Sequence, residues 1–233
     1  MPMMLGFDPT FLLLIPAMIF AFWAQWRVQH TYQQWAKVRA SAGITGADMA
    51  RAIMNRNGVQ DVKIESVGGT LSDHYDPRSK TVRLSEPIGR GASISSIAVA
   101  AHEVGHVLQH ANGYAPLALR AAMAPVVGIA SMAAFPLFMI GLIFNIPGVS
   151  TWLMDLGIVF FAGTVVFHLV TLPVEFDASR RALVQLTQHG AIAPQEVAGA
   201  KKVLDAAALT YLAAAAVSAL QLIRLVLLRN SRD

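Results

Sequence analysis

Long apolar runs alternate with one polar region along the chain. A helix needs about 20 mainly apolar residues to cross a bilayer. Four runs reach or approach that length, at residues 10–26, 121–146, 151–172 and 204–228. Only a short segment with Pro147 and Gly148 separates the second run from the third, which predicts a tight helical hairpin. The pattern is typical of a mainly α-helical membrane protein with about four transmembrane helices.

The polar region between the first two runs, residues 28–115, is the only stretch long enough for an extramembrane domain. Apolar residues recur at helical spacing from Gly46 to Asn57, which predicts a short helix. Three further short runs are separated by turns rich in glycine and proline, and they predict a small antiparallel sheet. These runs are residues 62–67, 70–75 and 80–85.

A second helix is predicted directly after these strands, from Ser93 to about Ala111. Ser93, or a serine shortly after it, supplies the side-chain oxygen that helix starts prefer. Gly113 lies just beyond the expected end, where glycine is favoured. The extramembrane region is therefore a small α+β unit.

The composition supports a membrane protein and limits the residue types that could bind a metal. Hydrophobic residues make up 55% of the chain and charged residues 14%, whereas a soluble domain carries about 25% charged residues. There is no cysteine, so disulfides and thiolate metal sites are excluded, and any metal must be held by His, Asp or Glu. The net charge of +4 comes mostly from residues beside the apolar runs, which indicates membrane topology; we expect no nucleic-acid partner.

The basic residues beside the first three runs fall on one predicted side of the membrane, which we assign to the cytoplasm together with the polar region. Arg27 follows the first run without a small-residue cleavage motif, which favours a retained anchor over a cleaved signal peptide. Arg229 and Arg232 at the end of the fourth run oppose this orientation if that run crosses. The sequence leaves open whether the fourth run spans the bilayer or lies partly in its interface.

The second predicted helix carries an H-E-x-x-H pattern, His102-Glu103-Val104-Gly105-His106. Residues four apart lie on one face of a helix, so the imidazoles of His102 and His106 can bind one metal ion. Zinc accepts neutral imidazole nitrogens and, in catalytic sites, keeps a position open for water. Bound zinc lowers the pKa of that water to about 7, and Glu103 can accept its proton as the general base.

Glu175 is the best candidate for a third zinc ligand. It follows the third apolar run on the side already assigned to His102. The alternative interpretation is a helix start, at which Glu175 and Asp177 interact with the helix dipole and with Arg180 or Arg181. With His102 and His106, Glu175 would complete a site for one zinc ion per chain.

Several blocks of the sequence resemble the bacterial YugP-type neutral zinc metallopeptidases. They are the segment around His102–His106, residues 113–116, residues 72–77 and residues 172–181. The resemblance extends from the first apolar run to the fourth. It implies a peptidase of the bacterial cell membrane with His102, His106 and Glu175 on zinc and Glu103 as the base.

Residues 175–179 are also distantly similar to the E-x-x-x-D signature of gluzincins, which include HtpX-type membrane peptidases. In that pattern the later aspartate supports a zinc-bound histidine, but this chain has Ser179 there. A serine can bond to an imidazole and supplies no negative charge. Six side chains are candidates for supporting the metal ligands or the transition state: Ser179, Arg180, His74, Tyr75, His110 and His168. For each of these six side chains, a purely structural role is the alternative.

Two other functions are compatible with the sequence. One is an intramembrane, site-2-type protease that uses Asp155 as the third ligand, although Asp155 lies near the hairpin turn, opposite the side assigned to His102. The other is a non-catalytic membrane scaffold that keeps a relic zinc site. For the peptidase, we expect the partners to be a peptide or membrane-protein substrate and the lipid bilayer.

The sequence divides the chain into five segments. In order, they are an N-terminal membrane anchor (1–27), an extramembrane catalytic region (28–120), a transmembrane hairpin (121–172), a third-ligand helix region (173–203) and a C-terminal apolar helix (204–233).

Overall fold

The computed structural model describes residues 9–144, 146–188 and 191–231; Arg232 lies outside them. These residues form seven α-helices and three strands. The helices are α1 (Leu14–Ala36, preceded by a 3₁₀ turn at Pro9–Leu13), α2 (Gly46–Arg56), α3 (Glu86–Gly89), α4 (Ile94–Ala111), α5 (Ala115–Ile143), α6 (Ser150–Gln188) and α7 (Pro194–Asn230). The strands are β1 (Lys63–Val67), β2 (His74–Asp76) and β3 (Thr81–Ser85).

The chain divides into two compact units. The apolar unit comprises Met1–Trp23, Arg120–Val170 and Tyr211–Asp233, and the α+β unit comprises Ala24–Leu119 and Thr171–Thr210. Helices α1, α5, α6 and α7 are each long and apolar enough to cross a membrane. The predicted fold class is confirmed: this is a mainly α-helical membrane protein with a small α+β unit.

Within the apolar unit, the end of α5, the start of α6 and the end of α7 pack together around Phe138, Met154 and Leu225. Glycine permits one close helix contact, because a Cβ at Gly157 would lie 2.7 Å from the carbonyl oxygen of Ala134. Many large apolar side chains of this unit face outwards. Such a surface is stable in lipid and costly in water.

Helix α7 runs antiparallel to α6 inside the apolar unit. Arg229 near the end of α7 donates to Asp155 near the start of α6, with Nε and Oδ1 2.9 Å apart. Arg224 of α7 likewise reaches Thr10 in the turn before α1, at 3.3 Å. The end of the fourth apolar run therefore lies beside the start of α6 and the turn before α1.

In the α+β unit, the order of the sheet is β1-β3-β2, with β1 parallel and β2 antiparallel to β3. The prediction of a fully antiparallel sheet was wrong for β1. After β1 the chain crosses to the far edge of β3, so that only β2 and β3 form a hairpin. Its turn is stabilised by Asp76, whose carboxylate accepts from the N–H of Arg78 and the hydroxyl of Ser79.

Helix α4 forms the centre of the core of the α+β unit, and it is buried on most of its surface. As predicted, it begins after Ser93, whose hydroxyl accepts from the N–H of Ser96 at 3.1 Å. It ends before Gly113, which has φ +61°. Helix α2 packs against it with the fully buried Met49 and Ile53. A buried, tightly packed core thus holds the H-E-x-x-H helix.

Helix α6 continues past the end expected from the hydrophobic pattern. The apolar run ends at residue 172, yet the helix passes through Pro173 and reaches Gln188. A proline removes one helical hydrogen bond, which packing against neighbours can offset. Glu175 is therefore a mid-helix residue, and the expected helix start at Glu175 and Asp177 was wrong. The expected pairing of Asp177 with the arginines that follow it is confirmed.

Candidate metal centre

Helices α4 and α6 cross closely at Gly105, the second variable position of the H-E-x-x-H pattern. A Cβ there would overlap the carbonyl oxygen of Ala178 and lie 2.9 Å from its carbonyl carbon. Ala178 and Val174 are fully buried at this crossing. Glycine thus lets the backbone of α6 approach the helix face that carries both histidines.

The crossing brings three potential metal ligands together. Nε2 of His102 lies 3.3 Å and Nε2 of His106 lies 3.6 Å from Oε2 of Glu175. In a tetrahedral zinc site with ligands 2.0–2.1 Å from the metal, neighbouring ligand atoms are about 3.3 Å apart. The spacing of the three side chains and their donor types, two imidazoles and one carboxylate, therefore fit a zinc ion.

The electrostatics of the site also favour a cation. Glu175 is only 2% exposed, and its carboxylate lies between the two imidazoles. Burial by itself lowers the pKa of His106, but the hydrogen bond to Glu175 and the negative charge of Glu103 outweigh it and raise that pKa. The buried carboxylates thus stabilise positive charge at His106, where a metal ion would bind.

Glu103 is buried next to this cluster. Burial raises the pKa of its carboxyl group; the two imidazoles act against this, while the carboxylates of Glu175 and Asp73 add to it. Within the described part of the chain, its carboxylate makes no hydrogen bond with another side chain. Glu103 is therefore a buried carboxyl group without a side-chain hydrogen bond, and its pKa lies above the usual range.

The Nδ1 nitrogens of both histidines, which do not face Glu175, have hydrogen-bond partners. Nδ1 of His102 lies 3.1 Å from the hydroxyl of Ser179, the position at which the gluzincin pattern has aspartate. Nδ1 of His106 lies 3.0 Å from Oε1 of Gln109. Partners of this kind orient metal-binding imidazoles.

Sequence reasoning missed Gln109. Its amide nitrogen donates to the carbonyl oxygen of Val174 at 2.7 Å and to Oδ2 of Asp177 at 3.0 Å. Asp177 does not contact His102, so it does not replace the missing aspartate directly. The available signal was a glutamine one turn beyond His106, directly after two apolar positions of the same helix.

The other candidates lie outside the cluster. Tyr75 of β2 has its hydroxyl 2.7 Å from Nδ1 of His110, and His74 is exposed and donates to the carbonyl oxygen of Ser72. Arg180 is exposed and forms an ion pair with Asp177. His168 belongs to the apolar unit, where its ring contacts Phe167.

Comparison with known proteins agrees with this geometry. Residues 10–230 match the family described as "Putative neutral zinc metallopeptidase". The chain belongs to this family. It is also 50% identical over 222 residues to "Putative membrane protease YugP" of Bacillus subtilis (strain 168), which covers 95% of this chain and 97% of that protein. No solved structure matches the chain. The resemblance inferred from the sequence motifs is thus confirmed.

Proposed function

We propose that the protein is a zinc-dependent endopeptidase in which His102, His106 and Glu175 hold one zinc ion and Glu103 is the general base. The observation that carries the proposal is the zinc-like spacing of the three ligand atoms beside a free, buried carboxylate. When bound, zinc would supply a Lewis acid that polarises a peptide carbonyl and acidifies water. The family membership supports the same chemistry.

In this mechanism Glu103 moves the protons. Its raised pKa lets the carboxylate accept a proton from the attacking water and return it to the leaving amine. Its position next to His102 in the sequence keeps it on the helix that supplies two ligands. Exclusion of water by the surrounding core strengthens each of these charge interactions.

We further propose that an extended substrate segment pairs with β2. This strand is an edge of the sheet, so its outer backbone groups have no strand partner among the described residues. It packs against α4, and the Tyr75–His110 hydrogen bond fixes it there. The substrate would be a peptide or a membrane protein, with the lipid bilayer as the other partner. Peptide turnover that stayed intact in His74→Pro would argue against this docking.

A test of the catalytic role is Glu103→Gln. We expect hydrolysis of a mixture of fluorogenic peptides to fall at least 10²-fold, because a general base contributes about 10²–10⁴-fold, while zinc stays bound. A scaffold with a relic site would show no hydrolysis in either protein. For the intramembrane alternative, Asp155 gives no support, since its carboxylate pairs with Arg229 in the apolar unit.

The cytoplasmic position of the α+β unit is a separate proposal that rests on the basic flanking residues. Because the chain has no cysteine, single cysteines can report on topology. We expect Val149→Cys in the hairpin turn to react with an impermeant maleimide on intact cells. Gln60→Cys in the α+β unit should react only after permeabilisation. The reverse labelling pattern would show that the α+β unit lies on the outer side of the membrane.

A further inference from the structure

The two metal-binding histidines differ in how their ring protons are controlled. The partner of His102 is a hydroxyl, which both donates and accepts. It is therefore compatible with either tautomer of that imidazole. The partner of His106 is an amide oxygen, which only accepts. This difference between Ser179 and Gln109 has consequences for zinc binding.

The orientation of the Gln109 amide is fixed by its other contacts. Its nitrogen lies 2.7 Å from the carbonyl oxygen of Val174 and 3.0 Å from the carboxylate of Asp177, and both of these groups only accept. The amide N–H groups must therefore point towards them. The carbonyl oxygen of Gln109 then faces His106 and requires a proton on Nδ1 of that ring.

Asp177 is itself held in place as an acceptor. Its Oδ2 accepts from Nε of Arg181 at 2.5 Å, and its other oxygen pairs with Arg180. Arg181 also lies over the ring of Tyr114, 5.6 Å from its centroid. The hydrogen bonds converge on the carboxylate of Asp177, to which Arg181 donates from one side and Gln109 from the other. The carbonyl oxygen of Gln109 is then left to accept from His106.

We propose that Gln109 is a positioning residue that fixes the Nδ1–H tautomer of His106 and so presents the Nε2 lone pair to the metal. Its side chain is 0% exposed, so water does not compete for these bonds. Its donors contact residues on both sides of Glu175 in α6. The Gln109 side chain thus sets the position of His106 on α4 relative to that of Glu175 on α6. The inference rests on the proposed zinc site.

The test is zinc affinity of the folded, full-length protein in detergent, measured by competition with a chelator. Gln109→Met removes all three hydrogen bonds and should weaken zinc binding about 10- to 100-fold, as expected for partners of metal-binding histidines. Ser179→Ala should have a smaller effect. The matched control is Gln185→Met, at a partly exposed glutamine of α6 whose side chain bonds, among the residues that the structure describes, only to Asn57. It should bind zinc like the wild type.

The cobalt-substituted protein separates positioning from simple packing. Methionine fills about the same space as glutamine but is only a weak acceptor for the ring N–H of His106. The visible spectrum, which reports on ligand geometry, should therefore change in Gln109→Met and stay unchanged in Gln185→Met. A role in packing alone would leave both spectra like that of the wild type.

The outcomes are distinguishable. Wild-type affinity or a wild-type cobalt spectrum in Gln109→Met would overturn the positioning role and leave the zinc site intact. A wild-type protein that binds no zinc would overturn both proposals. Weaker binding with a changed spectrum in Gln109→Met, and neither change in Gln185→Met, would establish the role.

Discussion

The apolar unit and the α+β unit use the same helix-packing device for different ends. In the apolar unit, Gly157 lets α6 approach the backbone of α5, and the contact joins apolar side chains. In the α+β unit, Gly105 lets α4 approach the backbone of α6, and the contact brings two imidazoles and a carboxylate together. Close helix packing alone therefore does not create a candidate metal site. Such a site forms only where ionisable side chains lie beside the crossing.

The surroundings of the two crossings also differ. Large side chains of the apolar unit are exposed, with Met132 at 80%, whereas Ile97 of the α+β unit is 0% exposed. The first arrangement is stable when lipid is the solvent, and the second excludes water by its own core. Only a core of the second kind gives Glu103 its raised pKa and keeps the ligand atoms fixed.

Of the tests of this comparison, substitution of each glycine has the largest expected effect. Gly105→Ala forces the backbones of α4 and α6 apart, because the added Cβ would overlap the Ala178 carbonyl. We expect peptide hydrolysis to fall at least 100-fold, with zinc content reduced well below that of the wild type. Gly157→Ala should lower the melting temperature and keep zinc content unchanged. Both quantities are measured on the purified protein, by elemental analysis and thermal unfolding. Equal zinc loss in the two variants would contradict the account.

Truncating apolar side chains tests the two kinds of surroundings. Ile97→Ala leaves a cavity in the core of the α+β unit and should lower the free energy of unfolding by about 2–5 kcal/mol. Met132→Ala removes a side chain that is 80% exposed and should change stability by less than about 1 kcal/mol. Denaturant unfolding in detergent checks both values. If Met132→Ala were as destabilising as Ile97→Ala, Met132 would belong to a packed interface.

Local patterns in the sequence predicted the parts of the molecule that depend on local chemistry. The spacing of His102 and His106, the cap at Ser93 and the glycine after α4 are all features of a single helix. The parallel pairing of β1 was missed because it depends on where the chain crosses after Val67. The continuation of α6 through Pro173 was missed because neighbouring elements offset the lost hydrogen bond.

The same limit applies to the site. Glu175 was predicted from its place after an apolar run, without any view of the helix crossing that brings it to His102. Gln109 was missed because glutamine carries no metal-binding signature, and its role arises from contacts with Val174 and Asp177, 65 and 68 residues away. Gly105 appears in the motif as a variable position, and only the backbone of α6 at Ala178 explains why a glycine is needed there.

The most direct test of the central claim is the zinc content of the detergent-purified wild type and of Glu175→Ala, measured by elemental analysis. We predict about one zinc ion per chain in the wild type and a loss or sharp reduction in the variant, because α6 supplies the third ligand. Zinc content unaffected by Glu175→Ala would remove that ligand from the site. A wild-type protein without zinc would contradict the metal centre as a whole.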